Sequence, residues 1–292
     1  MSIQQQYQPQ QLQFSAADGY ALAGTFYPAA EARAIIIIAS ATGVPQRFYR
    51  RFAEYAATEG FAVVTFDYRG IGQSAPASLK GFRMDYRDWA RLDLQAVVQQ
   101  MSQQELPLCL LGHSYGGHAL GLLDNHQLLS AAYFFGLGAG WHGWMPAAER
   151  LKVLLMWHLV APVLTRSQGY LGWSALGMGE DLPLGVYQQW KRWCTFRHYF
   201  FDDSAFPELK QQFATVNTPI KAVSAIDDKW APPRSRDAFI QHYRSSAFSC
   251  VDVSPAEYGC RQLGHMGYFR ADAQGLWPDV LAYFRQHIQR AS

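Results

Sequence analysis

One serine in this sequence lies in a pattern that suits nucleophilic chemistry. Residues 112–116 read Gly-His-Ser-Tyr-Gly, a G-x-S-x-G motif that follows an apolar run and precedes a series of small residues. A strand, a tight turn and a helix in this order would hold the Ser114 hydroxyl clear of the sheet. The N-terminus of the helix would also aim the Tyr115 N–H at an oxyanion formed on an attacked acyl carbonyl. The motif therefore predicts an acyl-transfer nucleophile at Ser114.

A serine hydroxyl is a weak nucleophile at neutral pH, so it needs a base within hydrogen-bonding reach and an acid that orients the base. His242 and His287 fall in predicted surface helices. His265 instead follows Gly264 in a loop that leaves the last predicted strand, where active-site groups gather in an open α/β sheet. His265 is therefore the candidate base.

Strand and helix patterns alternate along much of the chain. The segment 34–40 (AIIIIAS) is continuously apolar, as in a parallel strand buried on both faces, and 85–101 has the spacing of an amphipathic helix. The alternation predicts an α/β fold with right-handed βαβ units. The predicted strands are two within 12–27, then 34–40, 61–66, the run before the elbow, 128–137, 220–225 and 247–253.

Several motifs together resemble the α/β-hydrolase superfamily. They are the elbow GHSYGG, the segment DYRGIGQS at 67–74, and the late segments around 225–232 and 264–270. The resemblance covers roughly residues 10–138 and 218–290. More narrowly, the chain is similar to bacterial predicted α/β-hydrolases of the serine-hydrolase type. It implies an α/β-hydrolase fold: a mostly parallel eight-stranded sheet flanked by helices, with a helical lid after the sixth strand. One departure is Ser40-Ala41, where the family usually has His-Gly.

The same resemblance bears on the acid of the catalytic triad, the set of serine, histidine and acid introduced above. The superfamily orders its triad as serine, acid, histidine, and its acidic loop has a small residue, two variable residues, the acid and a proline four positions on. Ala225, Asp228 and Pro232 match this pattern, which favours Asp228 and leaves Asp227 to cap or brace the loop. Asp227 and Asp252 remain alternatives.

An oxyanion site needs two donors, and the Tyr115 N–H supplies one. Aligning the loop before the FYRRFA helix with the resembled family implies Thr42 as the second donor, with Gly43 as the alternative.

Charge and motif content limit the classes of partner and cofactor that the chain is expected to bind. The net charge is +2, and its basic residues are scattered, which argues against nucleic acid. The sequence has no metal-ligand pattern and no dinucleotide motif at the elbow, so neither a metal nor a cofactor is expected. The start of the chain lacks the features of a secretory signal, so a cytoplasmic enzyme is expected.

Domain organisation follows from a change of pattern after the sixth strand. Residues 1–138 and 218–292 are predicted to form two parts of one core, and 139–217 a helical lid that holds six of the nine tryptophans. Trp141 and Trp157 are the candidate substrate contacts of this lid. The apolar stretch 151–164 is too short to span a bilayer, which favours a lid helix over an interfacial membrane anchor.

These features predict a cofactor-independent serine hydrolase that cleaves an ester, thioester or amide of a small, apolar acyl substrate. The alternatives are an acyltransferase that uses the same acyl-enzyme and a non-catalytic receptor on the same fold. The sequence makes no prediction of the oligomeric state.

Overall fold

The computed structural model describes residues 8–177 and 179–288, so the first residues of the predicted core and its last four lie outside the described ranges. Eight strands of this part form one sheet in the order β1-β2-β4-β3-β5-β6-β7-β8. They are β1 (Gln10–Ser15), β2 (Ala21–Tyr27), β3 (Ile35–Ala39), β4 (Ala62–Phe66), β5 (Leu108–His113), β6 (Leu129–Phe135), β7 (Ile220–Ala225) and β8 (Phe248–Val253).

The sheet is mostly parallel. Strand β2 pairs antiparallel with β1 and β4, and every pairing from β4 through β3, β5, β6 and β7 to β8 is parallel. The predicted eight-stranded, mostly parallel sheet is therefore confirmed. Strand β5, which leads to Ser114, lies in the interior of the sheet between β3 and β6.

Helices cover both faces of the sheet. In the described ranges the α-helices are α1 (Arg50–Thr58), α2 (Gln95–Met101), α3 (Tyr115–Ala119), α4 (Ala147–Leu155), α5 (Ala161–Gln168), α6 (Leu184–Trp193), α7 (Leu209–Thr215), α8 (Pro233–Ile240) and α9 (Trp277–Ile288). A π-helical turn, Trp89–Leu94, leads into α2, and another, Met156–Val160, joins α4 to α5.

Alternate residues of β3 serve two separate cores. Ile35 and Ile37 pack with the α2 and α3 side of the sheet, whereas Ile36 and Ile38 pack with α1 and α9. All four side chains are at most 1% exposed. Burial on both faces explains why this strand is apolar at every position rather than at every second one.

The chain between β6 and β7 forms helices α4 to α7. The joined helices α4 and α5 expose large apolar side chains to solvent, namely Leu151, Leu155, Leu159 and Val163. No helix of the described residues has both the length and the apolar character needed to cross a membrane.

Candidate active site

Ser114 lies in a strained turn between β5 and α3. Its φ of 52° and ψ of −109° are rare for a residue with a side chain. The Ser114 N–H donates to the Phe135 carbonyl of β6 at 2.8 Å, which ties the turn to the neighbouring strand. A Cβ at Gly112 would lie 2.6 Å from the Gly116 carbonyl carbon, and a Cβ at Gly116 2.0 Å from the Ala39 carbonyl oxygen. Only glycine fits at these two positions, as the motif predicts.

His265 lies between Ser114 and Asp228. Its Nε2 is 2.9 Å from the Ser114 Oγ, and its Nδ1 is 2.8 Å from the Asp228 Oδ2. A carboxylate only accepts hydrogen bonds, so Nδ1 carries the proton and Nε2 has a free lone pair. The arrangement can therefore take a proton from the Ser114 hydroxyl.

The Asp228 carboxylate is held by three hydrogen bonds and is inaccessible to solvent. Its Oδ1 accepts the N–H groups of Trp230 and Ala231, both at 2.9 Å, while Oδ2 faces His265. Burial raises the pKa of this carboxyl, but the charge and hydrogen bond of His265 and the two N–H groups outweigh it and hold the pKa below its usual value. Asp228 is therefore ionised at neutral pH.

The other two carboxylates left open by the sequence lie elsewhere. Asp227 accepts the Leu263 N–H at 3.0 Å and the Gly264 N–H at 2.9 Å, so it fastens the loop that carries His265. Asp252 pairs with Arg236 at 2.6 Å on β8 and is half exposed. Of the three carboxylates, Asp228 alone contacts His265.

Thr42 and Tyr115, the two predicted oxyanion donors, lie together with Ser114 around one small cavity. Tyr86 holds both of them. Its hydroxyl bonds to the Thr42 hydroxyl, its carbonyl accepts the Tyr115 hydroxyl at 2.9 Å, and its ring stacks on Tyr115 at 4.5 Å. Gly43, the alternative donor, has a φ of 70° at the same loop.

A buried hydrogen-bond chain joins the oxyanion loop to the His265 loop. The Tyr49 hydroxyl accepts the Ala41 N–H at 2.8 Å and donates to His113 Nδ1 at 3.0 Å. His113 Nε2–H then donates to the His265 carbonyl at 2.8 Å. A carbonyl can only accept, so the proton of the neutral ring must be on Nε2. His113, next to the nucleophile in sequence, thus helps to position both the oxyanion loop and the His265 loop.

Burial of neutral histidines predicts acid sensitivity of the fold. It lowers the pKa of His113 to about 3 and that of His118 to about 4, against an ordinary value near 6.5. Below pH 6.5 the unfolded chain takes up protons that the folded chain does not, so the free energy of unfolding falls. Between pH 6.5 and 5.0 we expect a loss of about 1.5 kcal/mol per buried histidine. Urea unfolding at the two pH values measures it.

The pH-dependent loss of unfolding free energy can be compared between wild type and His113→Asn. This comparison separates the contribution of His113 from that of the other titrating groups. The variant should lose less stability than wild type between the two pH values. An equal loss in both proteins would contradict the assignment of His113 as a neutral buried group.

Two cavities of different size meet at Ser114. The larger, called the vestibule, has a volume of about 460 Å³ and is walled mainly by apolar side chains, among them Phe48, Trp173, Trp190, Trp230 and Met266, with His265 at its floor. The smaller, called the recess, has about 10 Å³ and is lined by residues that include Tyr115, His118, Gly138, Trp190 and Tyr199. His265 lines the vestibule and not the recess.

The two tryptophans expected to contact substrate line neither cavity. Trp157 is buried against Trp190, with ring centroids 5.0 Å apart, and Trp141 packs on Trp144. Trp173 and Trp190, from the same segment of the chain, wall the vestibule instead. The composition of residues 139–217 correctly indicated that aromatic side chains of this segment wall a cavity. Which of the rings reach the vestibule depends on how the helices of the segment are oriented.

Sequence reasoning missed three residues around Ser114, namely Tyr49, Tyr86 and His118. Tyr49 and Tyr86 reach the site through packing between segments that are distant in sequence, and their roles are not readable from a motif. His118 follows the elbow by four residues, one helical turn, so its position near Ser114 could have been read from helix geometry.

The comparisons with known proteins agree with this architecture. The family model described as "Serine aminopeptidase, S33" matches residues 30–158, a stretch that includes Ser114 but neither Asp228 nor His265. No curated protein sequence matches the chain.

Solved structures share the fold at low sequence identity. A soluble variant of monoglyceride lipase from Saccharomyces cerevisiae has a TM-score of 0.68 at 18% identity, with 96% of this chain and 95% of that chain covered. DcsB has a TM-score of 0.64 at 18% identity, with 97% and 100% covered. The esterase domain of a Rhodothermus marinus protein has 0.60 at 18%, with 96% and 99% covered.

The fold is thus that of the α/β-hydrolases, and the family match over residues 30–158, together with this fold, indicates that the chain is an enzyme.

Proposed function

We propose that this enzyme is a cofactor-independent serine hydrolase that cleaves carboxylic esters through a covalent acyl-enzyme. The observation that carries the proposal is the hydrogen-bonded series from the Ser114 Oγ through His265 to Asp228. A nucleophile, a base and an orienting acid within hydrogen-bonding distance are what acyl transfer by serine requires.

The first half of the reaction forms the acyl-enzyme. Ser114 Oγ bonds to the carbonyl carbon as its proton moves to His265 Nε2, and the charge on the carbonyl oxygen is stabilised by the N–H groups of Tyr115 and Thr42. His265 then donates that proton to the leaving oxygen as the ester bond breaks. Asp228 stabilises the imidazolium that exists between the two proton transfers.

The second half releases the acid. His265 Nε2 takes a proton from water, the water oxygen bonds to the acyl carbon, and the proton returns to Ser114 Oγ as the acyl-enzyme bond breaks. An acyltransferase would differ only in the attacking group, an alcohol or thiol in place of water. A non-catalytic receptor would have no use for the orientation of His265 by Asp228.

The vestibule is proposed to receive the leaving group. His265 must protonate the leaving oxygen, and of the two cavities only the vestibule has His265 in its wall. Its apolar walls favour an alcohol with a hydrophobic body. The segment 139–217, which supplies Trp173 and Trp190, is proposed to act as the lid over this cavity.

Peptidase action at a free N-terminus fits this vestibule less well. An α-ammonium group would need a carboxylate partner. Among the lining residues that the structure describes, the one carboxylate is Glu149, and it is paired with Lys152 at 3.4 Å. The site therefore supports an esterase better than an aminopeptidase.

A fluorophosphonate probe tests the proposed function. It should form one covalent adduct, mapped by peptide mass spectrometry to Ser114, and prior labelling should block hydrolysis of p-nitrophenyl acetate. Addition of an alcohol acceptor then separates the two enzyme classes, because an acyltransferase would form a new ester faster than it releases acid. Absence of the adduct would contradict the proposal.

The size of the vestibule predicts a dependence on the length of the alcohol. For acetate esters of straight-chain alcohols from ethanol to octanol, kcat/KM should rise until the cavity is full. Each methylene is worth up to about 0.8 kcal/mol, or about fourfold in kcat/KM. Release of acid measured by pH titration gives the series.

Two tryptophans make a matched pair for this series. Trp173→Ala should flatten the dependence on length because Trp173 walls the vestibule. Trp141→Ala should leave it unchanged because Trp141 lines neither cavity, and the opposite pattern would support Trp141 as a substrate contact. A flat wild-type series would overturn the role of the vestibule.

A further inference from the structure

The recess has room for a single small group. Its volume of about 10 Å³ is close to what one water molecule needs. It is lined by Ser114 and by both proposed oxyanion donors, Thr42 and Tyr115, but not by His265. Since the leaving oxygen must be next to His265, which does not line the recess, the recess borders the carbonyl oxygen and the acyl group rather than the leaving group.

Two buried polar groups line the recess without a partner. His118 Nε2 donates to the Gly138 carbonyl at 2.9 Å, so its Nδ1 is an acceptor, and neither this atom nor the Tyr199 hydroxyl has a hydrogen bond among the described residues. The Tyr86 hydroxyl is near enough to affect the pKa of Tyr199, but the pair lacks hydrogen-bond geometry. Buried polar groups are normally satisfied, and a polar ligand atom in the recess would satisfy both of these groups at once.

Tyr199 is also held in a strained conformation. Its φ of 58° lies in the left-handed region, which bulky residues rarely adopt. The ring is fixed by aromatic contacts with His118, Trp193 and Phe200 at centroid distances of 4.9 to 5.5 Å. Strain of this kind persists where the surroundings over-determine a side chain, and it is typical of functional sites.

We propose that the recess is an acyl subsite for a short acyl group with a hydroxyl on its second carbon, the 2-hydroxyacetyl class. The substrate hydroxyl would donate to His118 Nδ1 and accept from the Tyr199 hydroxyl. This inference rests on the proposed ester hydrolysis at Ser114.

The chemistry of the two groups selects a hydroxyl over other small substituents. Burial lowers the pKa of His118 to about 4 and raises the pKa of Tyr199 well above its usual value, so both are neutral near pH 7. An ammonium would be buried without a counter-charge among the lining residues. A carboxylate could not receive a proton from His118 Nδ1, and a methyl would leave both groups unsatisfied.

The test compares p-nitrophenyl glycolate with p-nitrophenyl propionate, whose acyl groups differ by hydroxyl against methyl. Each kcat/KM is divided by the uncatalysed hydrolysis rate, which removes the difference in intrinsic reactivity. Wild type should prefer glycolate by tenfold or more, because a site built to bond a hydroxyl discriminates against an analogue that lacks it. p-Nitrophenyl octanoate should be a poorer substrate than acetate.

Tyr199→Phe should reduce the preference for glycolate over propionate about tenfold. His118→Asn, a second variant, should also reduce the preference. Tyr68→Phe is the matched control, because Tyr68 is equally buried, its hydroxyl also has no partner among the described residues, and it lines neither cavity. The control should keep the wild-type preference.

The outcomes separate the two proposals. Any of three results would overturn the acyl subsite: equal normalised rates for glycolate and propionate, a preference unaffected by Tyr199→Phe, or a preference for octanoate over acetate. If Ser114 is still labelled in that case, the proposed hydrolase function stands. No hydrolysis of any ester together with no labelling at Ser114 would overturn both.

Discussion

Replacing Ser114 by alanine is expected to lower kcat/KM for p-nitrophenyl acetate by about 10³-fold or more and to abolish fluorophosphonate labelling. Alanine removes the atom that bonds to the acyl carbon, and within residues 8–177 and 179–288 no other hydroxyl bonds to the free Nε2 of His265. The residual rate would come from the oxyanion donors and substrate binding alone. Steady-state assays with purified wild type and variant give the ratio.

The control for this experiment is another buried serine. Ser224 is fully buried on β7 and its hydroxyl has no partner among the described residues, so Ser224→Ala should keep both labelling and turnover. Circular dichroism and thermal unfolding of both variants check that the fold is retained. A Ser114→Ala protein with the wild-type rate would rule out Ser114 as the nucleophile.

Asp228→Asn should cost about 10⁴-fold in kcat at pH 7 to 8. The Asp228 Oδ1 accepts two backbone N–H groups, so the oxygen of an asparagine would stay there and its NH₂ would face His265. The Nδ1 would then have to accept, the proton would move to Nε2, and His265 could no longer take the proton of Ser114.

Asp227→Asn is the matched change one residue earlier. Asp227 bonds to the Leu263 and Gly264 N–H groups and touches no reacting atom, so its loss should loosen the His265 loop and cost less than about tenfold in kcat, with some loss of thermal stability. Equal losses of kcat in the two variants would leave the orienting role unassigned to Asp228, and a larger loss at Asp227 would reverse the assignment.

The sheet could be predicted from sequence because its signal is local. Parallel strands buried on both faces are apolar throughout, and β3, β4 and β7 occur where such runs were identified. The helix predicted at 85–101 starts later and is less regular than its periodicity suggests, because residues 85–87 are not helical and the helix opens with the π-helical turn Trp89–Leu94. Hydrophobic spacing does not distinguish these two backbone forms.

The candidate site could be predicted only in part. The motif around Ser114 and the glycine-flanked His265 carry their own signals, whereas the choice between Asp227 and Asp228 depended on a family resemblance. No sequence pattern predicted which residues would line the two cavities. Tyr86 and Tyr199 are more than a hundred residues apart, and their meeting beside Ser114 depends on how the segment between β6 and β7 folds back over the sheet.

The hydrogen-bond chain through Tyr49 and His113 has a consequence for the modularity of this enzyme. It joins the loop after β3 to the loop after β8 through Tyr49 and through His113 at the end of β5, without passing through the helices between β6 and β7. The two loops therefore share a link that does not run through those helices. A segment grafted in their place would change what enters the vestibule while His265 and the Thr42 loop keep their common anchor.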